Sequence, residues 1–265
     1  MKMLGKIIKF LLPYGIVEVN RRLEELRRIG VTIKPWQWHK SGRFLQSSIS
    51  SGLYMLPTRL APELKYIVDV GANVGSWTLM ALDCTKPLKV MAFEPEPENF
   101  AKLQLNTKKF TNVEIHNVVV GDRKGTIRLN ITRDATAASV LEPEAKMKDY
   151  IEDNWRVNDK KDCPMDTLDN LVAGLPEISF LKIDVQGFEK QVLAGAANTL
   201  EKTKFLLIEL NYFSQYVGGS EFNEVHDILT KKHNFQLCNL APPLLINRRA
   251  IMSDGLYVNP RLVRL

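Results

Sequence analysis

The run Tyr66-Ile67-Val68-Asp69-Val70-Gly71-Ala72-Asn73-Val74-Gly75 constrains this chain more than any other stretch. A β-branched apolar segment ends in an acid and passes into a glycine-spaced turn, with helix-forming sequence after it. That order puts a small-ligand site where a buried parallel strand hands over to a helix. The glycines let the backbone turn sharply and come close to a ligand. The acid, Asp69, can accept hydrogen bonds from a cationic or amine group. A second apolar run, Lys89-Val90-Met91-Ala92-Phe93, ends at Glu94, 23 residues beyond Gly71. This is near the spacing at which a carboxylate meets a ribose in nucleotide-binding α/β folds.

From about residue 64 strand-like and helix-like runs alternate, which predicts a mostly parallel sheet with helices on both faces. The candidate strands are residues 66–70, 90–93, 113–120, 179–183 and 205–210, and the candidate helices 76–84, 97–107, 187–200 and 222–233. Residues 235–240, 244–247 and 255–259 are strand-like with short connections, so a terminal hairpin is expected to bring one antiparallel strand into the sheet. Residues 61–265 are read as the main domain, and residues 121–165, where the alternation breaks, as a lid-like insert within it, with a short strand expected over 125–131.

Residues 1–60 are read as a basic helical extension. Within residues 1–45 there are ten lysines and arginines against three glutamates, so this segment accounts for the whole chain's net charge of +6. Leu4, Ile7, Ile8, Leu11 and Leu12 recur at helical spacing with lysines between them, a pattern that suits packing on the domain or a peripheral contact with a membrane surface. Lys6, Lys9 and Pro13 interrupt it too often for a membrane span or a signal peptide. Three widely spaced cysteines, Cys84, Cys163 and Cys238, suggest neither a disulfide framework nor a zinc site and fit a reducing, cytoplasmic setting.

Ligands of open α/β sheets bind beyond the carboxyl ends of the strands. The candidate strand ends here carry Asp69, Glu94, Asp122, Asp184 and Glu209. One strand-end acid is ordinarily a helix cap or a solvated turn residue; five along one rim suggest a site. Asp184 ends a strongly apolar strand and is the candidate general base, and Glu209 lies at the end of the next strand. Asp184, Glu209 and Asn211 also offer hard oxygen ligands, a loose pattern for Mg²⁺, and no metal site is assigned.

Four segments carry a family resemblance: Val68-Asp69-Val70-Gly71-Ala72-Asn73-Val74-Gly75, Ala92-Phe93-Glu94-Pro95, Val119-Val120-Gly121-Asp122 and Leu181-Lys182-Ile183-Asp184-Val185-Gln186-Gly187-Phe188-Glu189. Together with Thr167-Leu168-Asp169, Leu206 to Leu210 and Asp254 to Val258, they make residues 64–260 resemble the FkbM-type methyltransferases, class I enzymes dependent on S-adenosylmethionine. The resemblance implies a Rossmann-like seven-stranded sheet. It also implies that the turn from Gly71 through Asn73 to Gly75 holds the methionine part of S-adenosylmethionine, with Asp69 near its amino group. Glu94 would take the ribose hydroxyls, and Asp122 the adenine amine. At Gln186 the chain departs from the family, where Glu is commoner; a neutral amide cannot act as a base there.

The reading is therefore an O-methyltransferase acting on a hydroxyl of a glycan or other small molecule. A nicotinamide-dependent oxidoreductase is disfavoured because the turn does not supply G-x-G-x-x-G. A nucleic-acid acceptor is disfavoured because the part of the chain beyond the basic extension is close to neutral. A non-catalytic scaffold retaining the cofactor pocket is the third alternative.

Overall fold

The structure is a computed structural model that describes residues 64–132, 138–145, 156–246 and 248–263. The expected helical extension over residues 1–60 lies outside the described residues.

The central sheet grows from strands that are buried on both faces and so read as unbroken apolar runs. β1 (Tyr66–Val70) pairs in parallel with β2 (Lys89–Phe93), which pairs with β3 (Val113–His116). Between them run α1 (Ser76–Thr85) and α2 (Pro97–Thr107), the latter started by proline in its first turn and capped by the Glu96 carboxylate on the Asn99 amide. On the other side of β1 lie β7 (Ile178–Ile183), wholly buried, and then β8 (Thr203–Asn211). β11 (Arg249–Val258) adds antiparallel to β8, and β9 (Gln236–Leu240) and β10 (Leu244–Ile246) both attach along β11. The fold is thus the expected Rossmann-like α/β arrangement with a mostly parallel sheet and an antiparallel strand from the C-terminal hairpin. The main sheet has eight strands where the resemblance implied seven, because β9 and β10 both pair along β11.

Side-chain parity divides the core. Val68, Val70, Leu181, Ile183, Leu206 and Ile208 pack on one face. That face is covered by α3 (Leu168–Leu171), α4 (Glu189–Ala194), α5 (Ala197–Glu201) and α6 (Phe222–Asp227). Ile67, Val90, Phe180, Phe205 and Leu207 pack on the other face beneath α1, where Trp77 packs at a tilt against Phe180, 5.6 Å between ring centroids. Trp77 is therefore core packing.

Three expected elements come out differently. The single strand expected over 113–120 breaks at Asn117, whose side-chain amide donates to the carbonyls of Glu94 and Pro95. Beyond the break, β4 (Val119–Gly121) leaves the main sheet and joins β6 (Val157–Thr167) and β5 (Gly125–Thr132) in a separate three-stranded sheet. The helix expected over 187–200 splits into α4 and α5 around Gly195, where a Cβ would collide with the carbonyl oxygen of Gly121. The helix expected over 222–233 passes from α6 into a π-helical turn, Ile228–Lys232.

The expected insert is partly this second sheet. Its residues 138–145 form a strap: Ser139 bridges to Asn130 of β5, Glu144 donates its backbone N–H to Gln215, and Val217 donates to Glu142. Residues 133–137 and 146–155 lie outside the described residues.

Candidate active site

The strand order reverses at β1. The chain runs outward through β2 and β3, then returns to lay β7 on the other side, and such a switch point opens a crevice at the carboxyl ends of the strands. The Gly71–Gly75 turn and Asp184 meet there, joined by a hydrogen bond from the Asp184 N–H to the Val70 carbonyl (3.0 Å). Gly71 has φ +80°, and a Cβ at this position would strike the Asp184 carbonyl oxygen. Only glycine lets these two loops touch. Gly71 and Ala72 both donate to the Phe93 carbonyl at 3.0 Å, and Asn73 accepts from the Val74 N–H through its side chain at 2.7 Å. Gly75 begins α1 at φ +86°, with no side-chain cap and no acid in the first turn.

Glu94 closes this turn from above. Its Oε2 accepts the Asn73 N–H at 2.7 Å and its Oε1 the Glu96 N–H at 2.9 Å. Burial pushes the Glu94 carboxyl up to about 7, against the pull of these two amides and of Lys182. A carboxylate offers about four lone-pair positions, so each oxygen keeps one for a ligand hydroxyl.

Register and parity place the other acids. Asp69 is the direct cross-strand partner of Lys182, and Lys182 of Leu207. One step beyond that register Asp184 comes alongside Glu209, and Glu209 is paired with Asp254 on β11. All these side chains share the α1 face of the sheet. Asp69, the acid expected near a ligand amine, is set by register against Lys182. It is fully buried, accepts the Thr78 hydroxyl at 2.6 Å and lies 3.3 Å from the Lys182 ammonium. Parity sets this: Asp69, the next-to-last residue of β1, aims at α1, and the facing lysine compensates its charge. Lys182 also donates to the Gly71 carbonyl at 2.8 Å and lies 3.4 Å from Asp184. Burial lowers its proton affinity, but Asp69 and Asp184 more than offset this and hold the ammonium above its ordinary range.

Asp122 also stands elsewhere than the sequence reading put it. Because the chain breaks at Asn117, the third strand of the main sheet ends at His116, and Asp122 lies in the turn after β4 of the small sheet. Its carboxylate is paired with Arg123 at 3.0 Å. The residue that the break brings to Glu94 is Asn117, which sequence alone did not single out.

Asp184 is the partly open acid of the row, its side chain 36% exposed. Glu209 is buried, and its carboxyl is pushed well up by desolvation and by the charges of Asp184, Glu189 and Asp254. Glu189 is fully buried too and accepts the N–H groups of Val185 and Gly187, tying the 184–188 loop to the start of α4. Burial lifts both Glu189 and Asp254 to about 7. Gln186 bridges the row, with its amide nitrogen 2.9 Å from Asp184 and 3.4 Å from Glu209. Among the described residues no group of three or more His, Cys, Asp or Glu side chains stands close enough to hold a metal ion.

Lys182, Glu189, Tyr216 and Asp254 were not picked out by sequence reasoning. Lys182 stood out as the one charge inside an otherwise apolar strand, and Glu189 and Asp254 lay in segments that carry the resemblance without being given a role; Tyr216 carried no signal.

Three relatives and a family match bear on this geometry. The 2-O-methyltransferase NoeI of Sinorhizobium fredii is 28% identical over 256 residues, covering 93% of this chain and 100% of that protein. The 31-O-demethyl-FK506 methyltransferase FkbM of Streptomyces tacrolimicus is 31% identical over 151 residues, covering 49% of this chain and 58% of that one. The hexuronic acid methyltransferase AglP of Haloferax volcanii is 26% identical over 155 residues, covering 57% and 58%. The chain thus spans all of the first relative and a little over half of the other two. The model of the methyltransferase FkbM domain matches residues 69–237, from the first strand-end acid to the start of β9. The chain belongs to the FkbM methyltransferase family.

Proposed function

We propose that this protein transfers a methyl group from S-adenosylmethionine to a hydroxyl of a saccharide or related small molecule. The observation that carries the reading is the contact of the Gly71 turn with the Asp184 loop. It sets a partly exposed carboxylate directly beside a glycine cradle that Glu94 closes. The relative matched along its whole length is a 2-O-methyltransferase, and another acts on a hexuronic acid, which favours a sugar hydroxyl.

The residues present fit such a donor. Glu94 keeps one free lone pair on each oxygen for the two ribose hydroxyls. The uncapped start of α1 presents backbone N–H groups suited to a carboxylate. S-adenosylmethionine supplies an electrophilic methyl on a sulfonium. In the proposed step Asp184 takes the proton of the acceptor hydroxyl as its oxygen forms the new bond to carbon. Lys182, behind Asp184, balances its negative charge. In-line placement of the acceptor contributes most of the acceleration, and a general base adds about 10²–10⁴-fold. No helix among the described residues is long and apolar enough to cross a membrane. A peripheral membrane contact is proposed for the basic segment over residues 1–60.

The test is transfer of labelled methyl from S-adenosylmethionine to a panel of simple glycosides and glycan extracts. Asp184→Asn should cut transfer about 100-fold or more, the scale of a general base, with donor affinity within about threefold of wild type. Undiminished transfer by the variant would remove Asp184 from the chemistry. Tight donor binding with no transfer to any hydroxyl would favour a cofactor-binding scaffold.

A further inference from the structure

Gln186 holds a costly backbone conformation at the centre of this site. Its φ is +55°, the left-handed region, and Gly187 follows at φ +94°. The conformation is pinned from outside. The Ser139 hydroxyl, on the strap, donates to the Gln186 carbonyl at 2.7 Å, and the Ser220 hydroxyl donates to the Gly187 carbonyl at 2.9 Å.

The side chain is held as firmly. Tyr216, buried, donates its hydroxyl to Gln186 Oε1 at 2.9 Å. The amide NH₂ then faces the carboxylates, donating to Asp184 Oδ1 at 2.9 Å and reaching Glu209 Oε2 at 3.4 Å. The opposite amide orientation would press Oε1 against the Asp184 carboxylate, which favours this assignment. Asp184 is therefore gripped at both oxygens, Oδ1 by Gln186 and Oδ2 by Lys182 at 3.4 Å. A second amide repeats the device: Gln215 donates to the Asn211 side-chain oxygen, which leaves the Asn211 NH₂ to donate to Glu209 Oε1 at 3.1 Å.

We propose that Gln186, oriented by Tyr216, is the positioning residue that fixes the Asp184 carboxylate to receive the acceptor's proton. This rests on the reading of Asp184 as the base. In that step the acceptor O–H breaks and its proton passes to Asp184. The oxygen bonds the methyl carbon, and the sulfur keeps the electron pair of the broken S–C bond. The charged groups facing Asp184 are Lys182 from its own strand, Glu189 from α4, Glu209 from β8 and Asp254 from β11. One ammonium, Lys182, and two side-chain amides, Gln186 and Asn211, thus face a group of four acids. An amide at 186 donates to the charged form of Asp184, whereas a carboxylate there would repel it.

The experiment follows the Asp184 carboxyl by ¹³C NMR across pH in the full chain labelled at aspartate carboxyls, the signal being assigned by its loss in Asp184→Asn. Gln186→Glu should move the titration midpoint upward by about one pH unit or more. Tyr216→Phe, which frees the amide to turn, should move it upward by about half as much. Titration with S-adenosylmethionine should give affinities within about threefold of wild type in both variants, as expected for a residue that does not hold the donor. A midpoint unmoved in both variants overturns the proposal, and an upward shift in Tyr216→Phe alone upholds it if Gln186→Glu does not fold. If Asp184→Asn abolishes methyl transfer while the midpoint stays put in both variants, the role of Gln186 is wrong and the base reading stands. If Asp184→Asn transfers normally, the base reading itself falls.

Discussion

Lys182 carries its charge in the middle of the most buried strand of the molecule, and everything around the glycine turn depends on it. Its ammonium reaches the Asp69 carboxylate, the Gly71 carbonyl and the Asp184 carboxylate, so it ties β1, the turn and β7 together. Removing one partner of a buried pair leaves the other charge uncompensated and costs about 3–5 kcal/mol. Lys182→Met should therefore lower unfolding stability by that order in urea denaturation, and the double variant Asp69→Leu/Lys182→Met should recover part of it. A single variant as stable as wild type would show that the ammonium compensates nothing. At this scale the sequence was legible where a residue's chemistry is local. The glycine-spaced turn and Glu94 stand in the expected relation, because the turn is set by backbone freedom over five residues. The surroundings of Asp69 were not legible, because they come from a lysine 113 positions along the chain and spacing alone does not show which face such an acid takes.

Between elements, the open problem is the row of acids at the ends of β7, β8 and β11. Cross-strand register sets Glu209 opposite Asp254, and α4 adds Glu189. Burial lifts Glu94, Glu189 and Asp254 to about 7, and Glu209 well up. An acid whose folded affinity for its proton exceeds its unfolded one stabilises the fold while protonated. That stabilisation is lost as pH rises through the folded value. Thermal unfolding of the donor-free protein should therefore occur at higher temperature at pH 6 than at pH 8, by roughly 2–4 °C for each kcal/mol retained. A midpoint lower at pH 6 would mean that these acids are not desolvated as described. The alternation of strands and helices was readable because buried parallel strands announce themselves as apolar runs. What periodicity could not show was the departure of β4 after Asn117, or the break at Gly195, since both arise from contacts with elements distant in sequence.

For the whole molecule, the reversal of strand order at β1 gathers the site. It brings a glycine turn from one half of the chain against an acid loop from the other, and the strap over residues 138–145 spans the small sheet and the loop after β8. The overall architecture followed from the alternation of elements, whereas of the second sheet only the strand over 125–131 was legible, because its pairing with β6 comes from contacts across the insert. The central claim is that Glu94, beside the turn, takes the ribose hydroxyls of the methyl donor. It is tested most directly by calorimetric titration of S-adenosylhomocysteine into the full chain and into Glu94→Gln, at pH 8 and pH 6. Two hydrogen bonds to a charged acceptor should make the variant at least about tenfold weaker at pH 8. Wild-type affinity should fall toward the variant's at pH 6, below the value of about 7 at which Glu94 gains its proton. Equal affinity of the two proteins at pH 8 would contradict the account.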